Sequence, residues 1–292
     1  MTAAELSNAL GREVRSVEAS PVAYASSHPL QQLDVRFDDG TESRLVLKDA
    51  GTLLPVARGA KPRFVQGTDR ELEVYRDVLA RFDAPAPRLV AIRGRQLLLE
   101  HVAGAPLTEV GERSVWERAA RTAGSMHRRL RGRRAVHLLR YDRPYFARWL
   151  DRASCFAGDP VEALRQAYLE AVDRLLTLPT TLIHGELYPS NVVVAGERIC
   201  FLDWETAGVA TGLLDLAALS SGSWSARERQ ALAAAYAASL GDTLEAELLA
   251  DLERCRLVIA VQWLGWSRTW SPPQGHRQDW LAEARRAAGA IT

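Results

Sequence analysis

The sequence predicts an α+β protein in two lobes, a small five-stranded antiparallel sheet followed by a mainly helical half. Three observations carry this. Short β-rich runs separated by turn residues fill the first hundred positions; from Ser114 onward apolar residues recur at helical spacing; and a loop and hairpin between Thr181 and Glu205 interrupt the helical half. The lobes are expected at residues 1–101 and 108–292, joined by a linker at 102–107. A chain of 292 residues, 47% hydrophobic and 25% charged, can bury a sizeable core. Its 37 basic and 36 acidic residues give a net charge of +1, so no global field recruits nucleic acid or a membrane surface. Cys155, Cys200 and Cys255 are widely spaced, lack metal-ligand spacing and read as reduced core thiols. The first ten residues carry Glu5 and no basic leader, and no window reaches the ~18 consecutive apolar residues of a membrane span, so a cytoplasmic location is expected.

Val14 to Ala19 and Leu30 to Phe37 have strand character, and Asp38-Asp39-Gly40 turns the chain into Ser43 to Leu47, giving a three-stranded antiparallel meander. Alternation along the third strand puts Leu45 and Leu47 on one face and Val46 and Lys48 on the other. The stretch from Asp49 to Gly67 is a long connection, and loops of that length in compact domains are usually functional or mobile. Thr68 or Asp69 caps an amphipathic helix running to about Arg81, with Glu71 and Glu73 near its start. Beyond Pro85-Ala86-Pro87, the runs Arg88 to Ile92 and Gln96 to His101 complete the sheet.

Periodic apolar faces then predict helices at Val115 to Leu130, Pro144 to Ala153, Pro160 to Leu176, Gly212 to Leu219, Ala226 to Leu240, Leu244 to Trp270 and His276 to Ala288. Trp263, Trp266 and Trp270 fall on one helix face, with Trp280 further on; such a stripe is either core or an aromatic wall for an apolar or cationic ligand. Arg254, Arg256, Arg268, His276 and Arg277 lie nearby in sequence, which argues against a polycationic ligand there. The arginines at 128, 129, 131, 133 and 134 crowd the end of one helix, where cations complement its dipole.

The hairpin unit carries the chemistry. Two apolar runs, Asn191 to Val194 and Ile199 to Leu202, flank the turn Ala195 to Arg198, preceded by a loop marked by Gly185, Pro189 and Ser190. Glu186 in the loop, Asn191 at its end and Asp203 after the second strand can offer oxygen to a metal or a proton. The five-position interval from Glu186 to Asn191, and an Asp that follows a strand, are the base and metal-ligand spacing of phosphoryl-transfer enzymes.

His184-Gly185-Glu186-Leu187-Tyr188-Pro189-Ser190-Asn191, followed by Asp203-Trp204-Glu205, resembles the His-Gly-Asp-x-x-x-x-Asn and Asp-Trp-Glu motifs of the aminoglycoside phosphotransferase and choline kinase-like family, with Glu in place of Asp. The resemblance implies a protein kinase-like fold and an ATP- or GTP-dependent phosphotransferase. It implies Mg²⁺ held by Asn191 and Asp203, Glu186 as the base that takes the acceptor hydroxyl's proton, and His184 ordering the catalytic loop. Lys48 would position the α- and β-phosphates, held by Glu71, with Glu73 the competing partner. Ser26 or Ser27 would contribute hydroxyls to the phosphates, and the Glu100 carbonyl and Val102 amide would read the base. His127 and Asp215 would brace the catalytic loop. The twelve positions from Asp203 to Asp215 leave no room for a peptide-docking segment, so the acceptor is expected to be a small molecule bearing a hydroxyl. Two rival readings are a non-catalytic kinase-like protein that binds a nucleotide or metabolite, and a zinc hydrolase using His184 and Glu186. Glu is one methylene longer than Asp, roughly 1.5 Å, and a displacement of that order can cost about a hundredfold in rate.

Overall fold

A computed structural model describes residues 1–22, 27–133, 135–222, 224–241, 246–268 and 277–291. Ser26, Arg134, Trp270 and His276 lie outside the described residues. Helix α1 (Ala3–Leu10) opens the chain; its signal is the capping box in which the Thr2 hydroxyl accepts from the Glu5 amide and the Glu5 carboxylate accepts from the Thr2 amide. Strands β1 (Val14–Pro21), β2 (Leu30–Phe37) and β3 (Glu42–Asp49) form the expected meander, and β4 (Leu89–Arg93) and β5 (Gln96–Glu100) complete a five-stranded antiparallel sheet in the order β1-β2-β3-β5-β4. Leu6, Leu33, Val35, Leu45, Leu47 and Leu98 make a small core between α1 and one sheet face. Alternation therefore turns Val46 and Lys48 to the other face, where they line a cleft.

Between β3 and β4 the long connection is partly ordered, with α2 (Pro55–Ala60) and a 3₁₀ turn at Arg63–Val65. The helix predicted to run to Arg81 is one α turn, α3 (Arg70–Glu73), then π geometry over Val74–Val78 and 3₁₀ geometry over Leu79–Arg81. Period alone could not show this, because all three forms bury much the same stripe; π segments often sit at functional sites. Asp69 precedes α3 without a side-chain cap bond and is turned toward Arg95 instead.

The second part is mainly helical: β6 (Ala105–Pro106), α4 (Arg113–Leu130), β7 (Leu139–Arg140), α5 (Arg143–Ala157), α6 (Asp159–Glu162), α7 (Arg165–Leu175) and β8 (Thr181–Ile183) precede the hairpin. The hairpin itself is β9 (Val192–Ala195) and β10 (Arg198–Phe201), followed by β11 (Gly208–Ala210), α8 (Leu213–Leu219), α9 (Ala226–Leu240), α10 (Ala246–Leu264) and α11 (Trp280–Ile291). The predicted single helix from Pro160 to Leu176 is divided, and Gly158 at φ 68° sets the entry to α6. No described helix is long and apolar enough to cross a membrane. The three cysteines are unpaired; Cys200 and Cys255 are buried, but Cys155 is exposed on α5 rather than in the core.

One short strand ties the two parts together. β6, in the predicted linker, pairs antiparallel with β9 through Ala105 opposite Val194 and Pro106 opposite Val193. Gly104, just before it, comes so close that a Cβ there would overlap the Val194 carbonyl oxygen. Gly104→Ala should therefore lower unfolding free energy by about 1–3 kcal/mol, the range for overpacking a tight contact, read from urea denaturation midpoints at unchanged slope.

Candidate active site

The cleft between the sheet and the helical part has a volume of about 840 Å³ and is lined from both sides. Lys48, at the end of β3, is one of its buried cations. It is 7% exposed, its Nζ lying 2.7 Å from Glu71 Oε2 and 2.5 Å from Asp203 Oδ1. Burial alone would lower its pKa, but the Asp203 and Glu71 carboxylates raise it well above the ordinary lysine value, so it stays an ammonium. Glu71 also accepts the Trp204 amide at 3.1 Å, which joins α3 to the Asp203-Trp204-Glu205 segment.

The competing Glu73 does something else. Its two oxygens accept the backbone N–H groups of Val136 and His137, each at 2.7 Å. Arg70, on the same turn and 5% exposed, donates to three carbonyls, those of Val65 at 3.1 Å, His137 at 3.0 Å and Glu205. One helical turn thus bears three buried charged side chains, of which Glu71 serves the site and the other two tie the turn to the helical part.

Asp203 has φ 66°, the one positive value among described non-glycine residues. Asp tolerates this region better than most residues, and such strain clusters at functional sites. The following Trp204 is fully buried and donates its Nε1–H to the Phe201 carbonyl at 3.0 Å, pinning the bend that aims the Asp203 carboxylate into the cleft.

Across from Lys48 runs the loop after β8. Gly185, at φ 87°, passes so close to Tyr141 and Thr206 that no side chain fits. Asp215 is wholly buried and accepts the amides of His184 at 2.7 Å and Gly185 at 2.8 Å; His127 Nε2 lies 3.0 Å away and His127 Nδ1 bonds the Tyr236 hydroxyl. Burial alone would raise the Asp215 pKa, but these bonds hold it below the ordinary carboxylate value. His184 is buried with both ring nitrogens occupied, Nε2 at 2.7 Å from the Leu202 carbonyl and Nδ1 accepting the Glu186 amide at 3.3 Å. Burial also lowers its pKa. A neutral ring carrying its proton on Nε2 satisfies both bonds. With both nitrogens committed to the backbone, His184 is placed to order the loop rather than to touch a substrate.

Glu186 and Asn191 line the cleft on this loop. Asn191 Nδ2 donates to the Glu186 carbonyl at 2.9 Å, leaving the amide's oxygen for another partner. Burial, with the nearby Glu205 and Asp203 charges, raises the Glu186 pKa to about 8. Glu205, which the sequence motif contains but sequence reasoning left without a role, is 3% exposed. It accepts the Ser27 hydroxyl at 2.7 Å and faces Lys61 Nζ at 2.7 Å and His28 Nε2 at 3.2 Å. Burial would raise its pKa, but Lys61 and His28 drive it well below normal. Ser27 thus lines the cleft with its hydroxyl proton committed to Glu205. The missed partner Lys61 comes from the long connection whose length had marked it as functional.

Glu100, His101 and Val102 line the cleft at the predicted linker. The Glu100 carboxylate is turned away, pairing with Arg198 and accepting the Arg88 amide at 2.9 Å, so only backbone from this position can address a ligand. Tyr188, Trp263, Trp266 and Trp280 line the cleft as well. The nearby arginines do not join them: Arg254 pairs with Asp251, and Arg256 with Glu253 and Glu283. Among the described residues no group of three or more His, Cys, Asp or Glu is disposed to hold a metal, which leaves the zinc-hydrolase reading without a protein ligand set. Asn191 and Asp203 instead offer two hard oxygen donors facing one cleft.

The model of the phosphotransferase enzyme family matches residues 30–258. The chain belongs to this family. Its fold is shared with choline kinase LicA from Streptococcus pneumoniae (TM-score 0.62, 15% identity, 99% of this chain and 96% of that one) and choline kinase from Cryptosporidium parvum Iowa II (0.60, 14%, 94% and 88%). It is shared also with macrolide 2'-phosphotransferase MphH from Brachybacterium faecium (0.59, 19%, 98% and 96%). No curated protein sequence matches significantly. The α+β, two-lobed expectation for this family member therefore holds.

Glu73→Ala should destabilise the protein by about 1–2 kcal/mol, because two part-buried backbone N–H groups lose a charged acceptor. Chemical denaturation measures this, and Glu73→Gln should recover part of the loss.

Proposed function

We propose that the protein transfers the γ-phosphoryl group of a nucleoside triphosphate, ATP or GTP, to a hydroxyl of a small molecule, with Mg²⁺ as cofactor. The observation that carries this reading is Lys48 held between Glu71 and Asp203 on one wall of a cleft whose facing loop presents Glu186 and Asn191. Phosphoryl transfer passes through a loose transition state, so positioning and charge neutralisation supply most of the rate. The donor set fits a hard divalent cation, since Asn191 and Asp203 each have an oxygen that accepts from no donor among the described residues. Bound there, Mg²⁺ would neutralise the phosphate oxygens. Family membership supports the reaction class, and an amicoumacin kinase of the same fold (TM-score 0.61, 15% identity, 94% of this chain and 87% of that one), described with AMP-PNP and Ca²⁺, supports nucleotide use.

In this reading residues 1–101 hold the nucleotide, 102–107 form the hinge and 108–292 hold the acceptor. The linker backbone at Glu100 and Val102 addresses the base, Lys48 grips phosphate oxygens, and Ser27 stays on Glu205 as part of the loop above them. The acceptor oxygen attacks the γ-phosphorus while the bond to the β–γ bridging oxygen breaks and the nucleoside diphosphate leaves. Glu186 takes the hydroxyl proton. Only a short strand and turn lie between Asp203 and α8, which favours a small acceptor over a protein.

Thermal shift with ATP or GTP tests the reading first: stabilisation should require Mg²⁺ and disappear in Asp203→Ala. Absence of any nucleotide effect would overturn it. Glu186→Gln should keep nucleotide binding and lower kcat by about 10²–10⁴, the usual share of a general base. Because a base works only deprotonated and this carboxyl is raised to about 8, kcat/KM should climb with pH toward a plateau above that value, and the limb should vanish in Glu186→Gln.

A further inference from the structure

The aromatic part of the cleft wall is apolar but not bare. Its indoles pack in pairs, Trp263 against Trp280 at 5.2 Å with planes 3° apart and Trp266 against the buried Trp149 at 5.6 Å and 12°. Tyr188 meets Trp263 edge-on at 5.3 Å. The rings cover one another and form a wall rather than a cage of converging faces.

Three neutral polar groups are set into that wall. The Ser221 hydroxyl is fully buried and makes no hydrogen bond. Gln262 is 7% exposed, and among the described residues nothing bonds its amide. Gln278 places its Nε2 beside Gly222, next to Ser221. All three line the cleft. Buried polar groups without partners are rare in native proteins, and the Ser221 hydroxyl, with two uncharged amides lining the same cleft, is explained if a ligand pairs it. Of the charges that line the cleft, Lys61 and Glu205 are matched to each other.

We propose that this wall is the acceptor subsite and that it takes an uncharged molecule with several hydroxyls and an apolar face, of which a neutral glycoside is the simplest member. The fate of the bound molecule rests on the phosphotransferase reading; its recognition rests only on the indoles and on Ser221, Gln262 and Gln278. A sugar ring lays its C–H face on an indole while its hydroxyls, each donor and acceptor, match the paired N–H and C=O of an amide. A quaternary ammonium offers nothing to these groups and would leave them desolvated and unpaired. A site that hydrogen-bonds hydroxyls also rejects analogues lacking them far more strongly than area alone would.

The test is equilibrium binding without nucleotide, read by tryptophan fluorescence, using phenyl β-D-glucoside, phenyl β-D-galactoside, choline and kanamycin as probes on the wild type, Ser221→Ala, Gln262→Leu and Gln262→Glu. At least one glycoside should bind about tenfold or more tightly than choline and kanamycin. Gln262→Leu should weaken it about tenfold, the loss expected for one or two neutral hydrogen bonds, and Gln262→Glu should shift preference toward choline. Failure of both glycosides to bind, tighter binding of either cation by the wild type, or affinities indifferent to both Gln262 variants would overturn the proposal. Nucleotide turnover is assayed separately: glycoside binding that responds to Gln262 without any diphosphate release upholds the subsite and removes the phosphotransferase reading.

Discussion

The arrangement depends on an ammonium buried between two carboxylates that come from different parts of the chain. Lys48 belongs to the sheet, Glu71 to the helix beside it and Asp203 to the end of the hairpin in the helical part. A buried charge is tolerable only when paired, and removing one partner of such a pair commonly costs several kcal/mol. The two parts of the molecule are therefore held in register at the atoms that line the cleft. Glu71 strengthens the link by accepting the Trp204 amide, and the adjacent Arg70 and Glu73 repeat it toward backbone groups of residues 65, 136, 137 and 205. Stability and site geometry are here the same set of bonds.

A second layer of the same logic fixes the facing loop. Asp215 gathers two backbone amides and one imidazole, so His184 and Gly185 have little freedom, and His184 in turn holds the Glu186 amide and the Leu202 carbonyl. Leu202 immediately precedes Asp203. The imidazole therefore sets the distance between the loop bearing Glu186 and the bend bearing Asp203, and it does so as a neutral ring because burial disfavours the cation.

What could be read from sequence was whatever short periods and fixed intervals encode. Alternation in β3 put Lys48 on the cleft face, and the five-position interval brought Glu186 and Asn191 onto one loop with Asp203 nearby. Glu71 and Glu73 lie on one turn and are told apart only by partners 23 and 63 positions away, a separation that no local pattern encodes. The Glu205 cluster was hidden for the same reason: its link to Ser27 spans 178 positions, and no local pattern predicts it. The π geometry after α3 escaped because a widened turn leaves the apolar stripe nearly unchanged. The tryptophan stripe looked like either core or ligand wall, and the alternatives were not exclusive, since Trp263 and Trp266 pack against the core with one side and line the cleft with the other.

The unusual Glu at position 186 can be weighed against this framework. Its backbone is pinned at both groups, the amide by His184 and the carbonyl by Asn191, so the loop cannot absorb one extra methylene by retreating. The added length is expressed in the cleft instead, moving the carboxylate by up to roughly 1.5 Å. There it meets no cation of its own: Lys48 is shared by Glu71 and Asp203, and Lys61 is spent on Glu205. Burial, with the Glu205 and Asp203 charges nearby, outweighs Lys61 and Arg70 and raises its pKa to about 8, and a carboxylate with a raised pKa is a stronger base once ionised. In the proposed reaction the longer side chain and the missing counter-charge therefore act together. They make the residue a better proton acceptor over a smaller fraction of the neutral pH range, and they require an acceptor hydroxyl held farther from the loop than an Asp would allow.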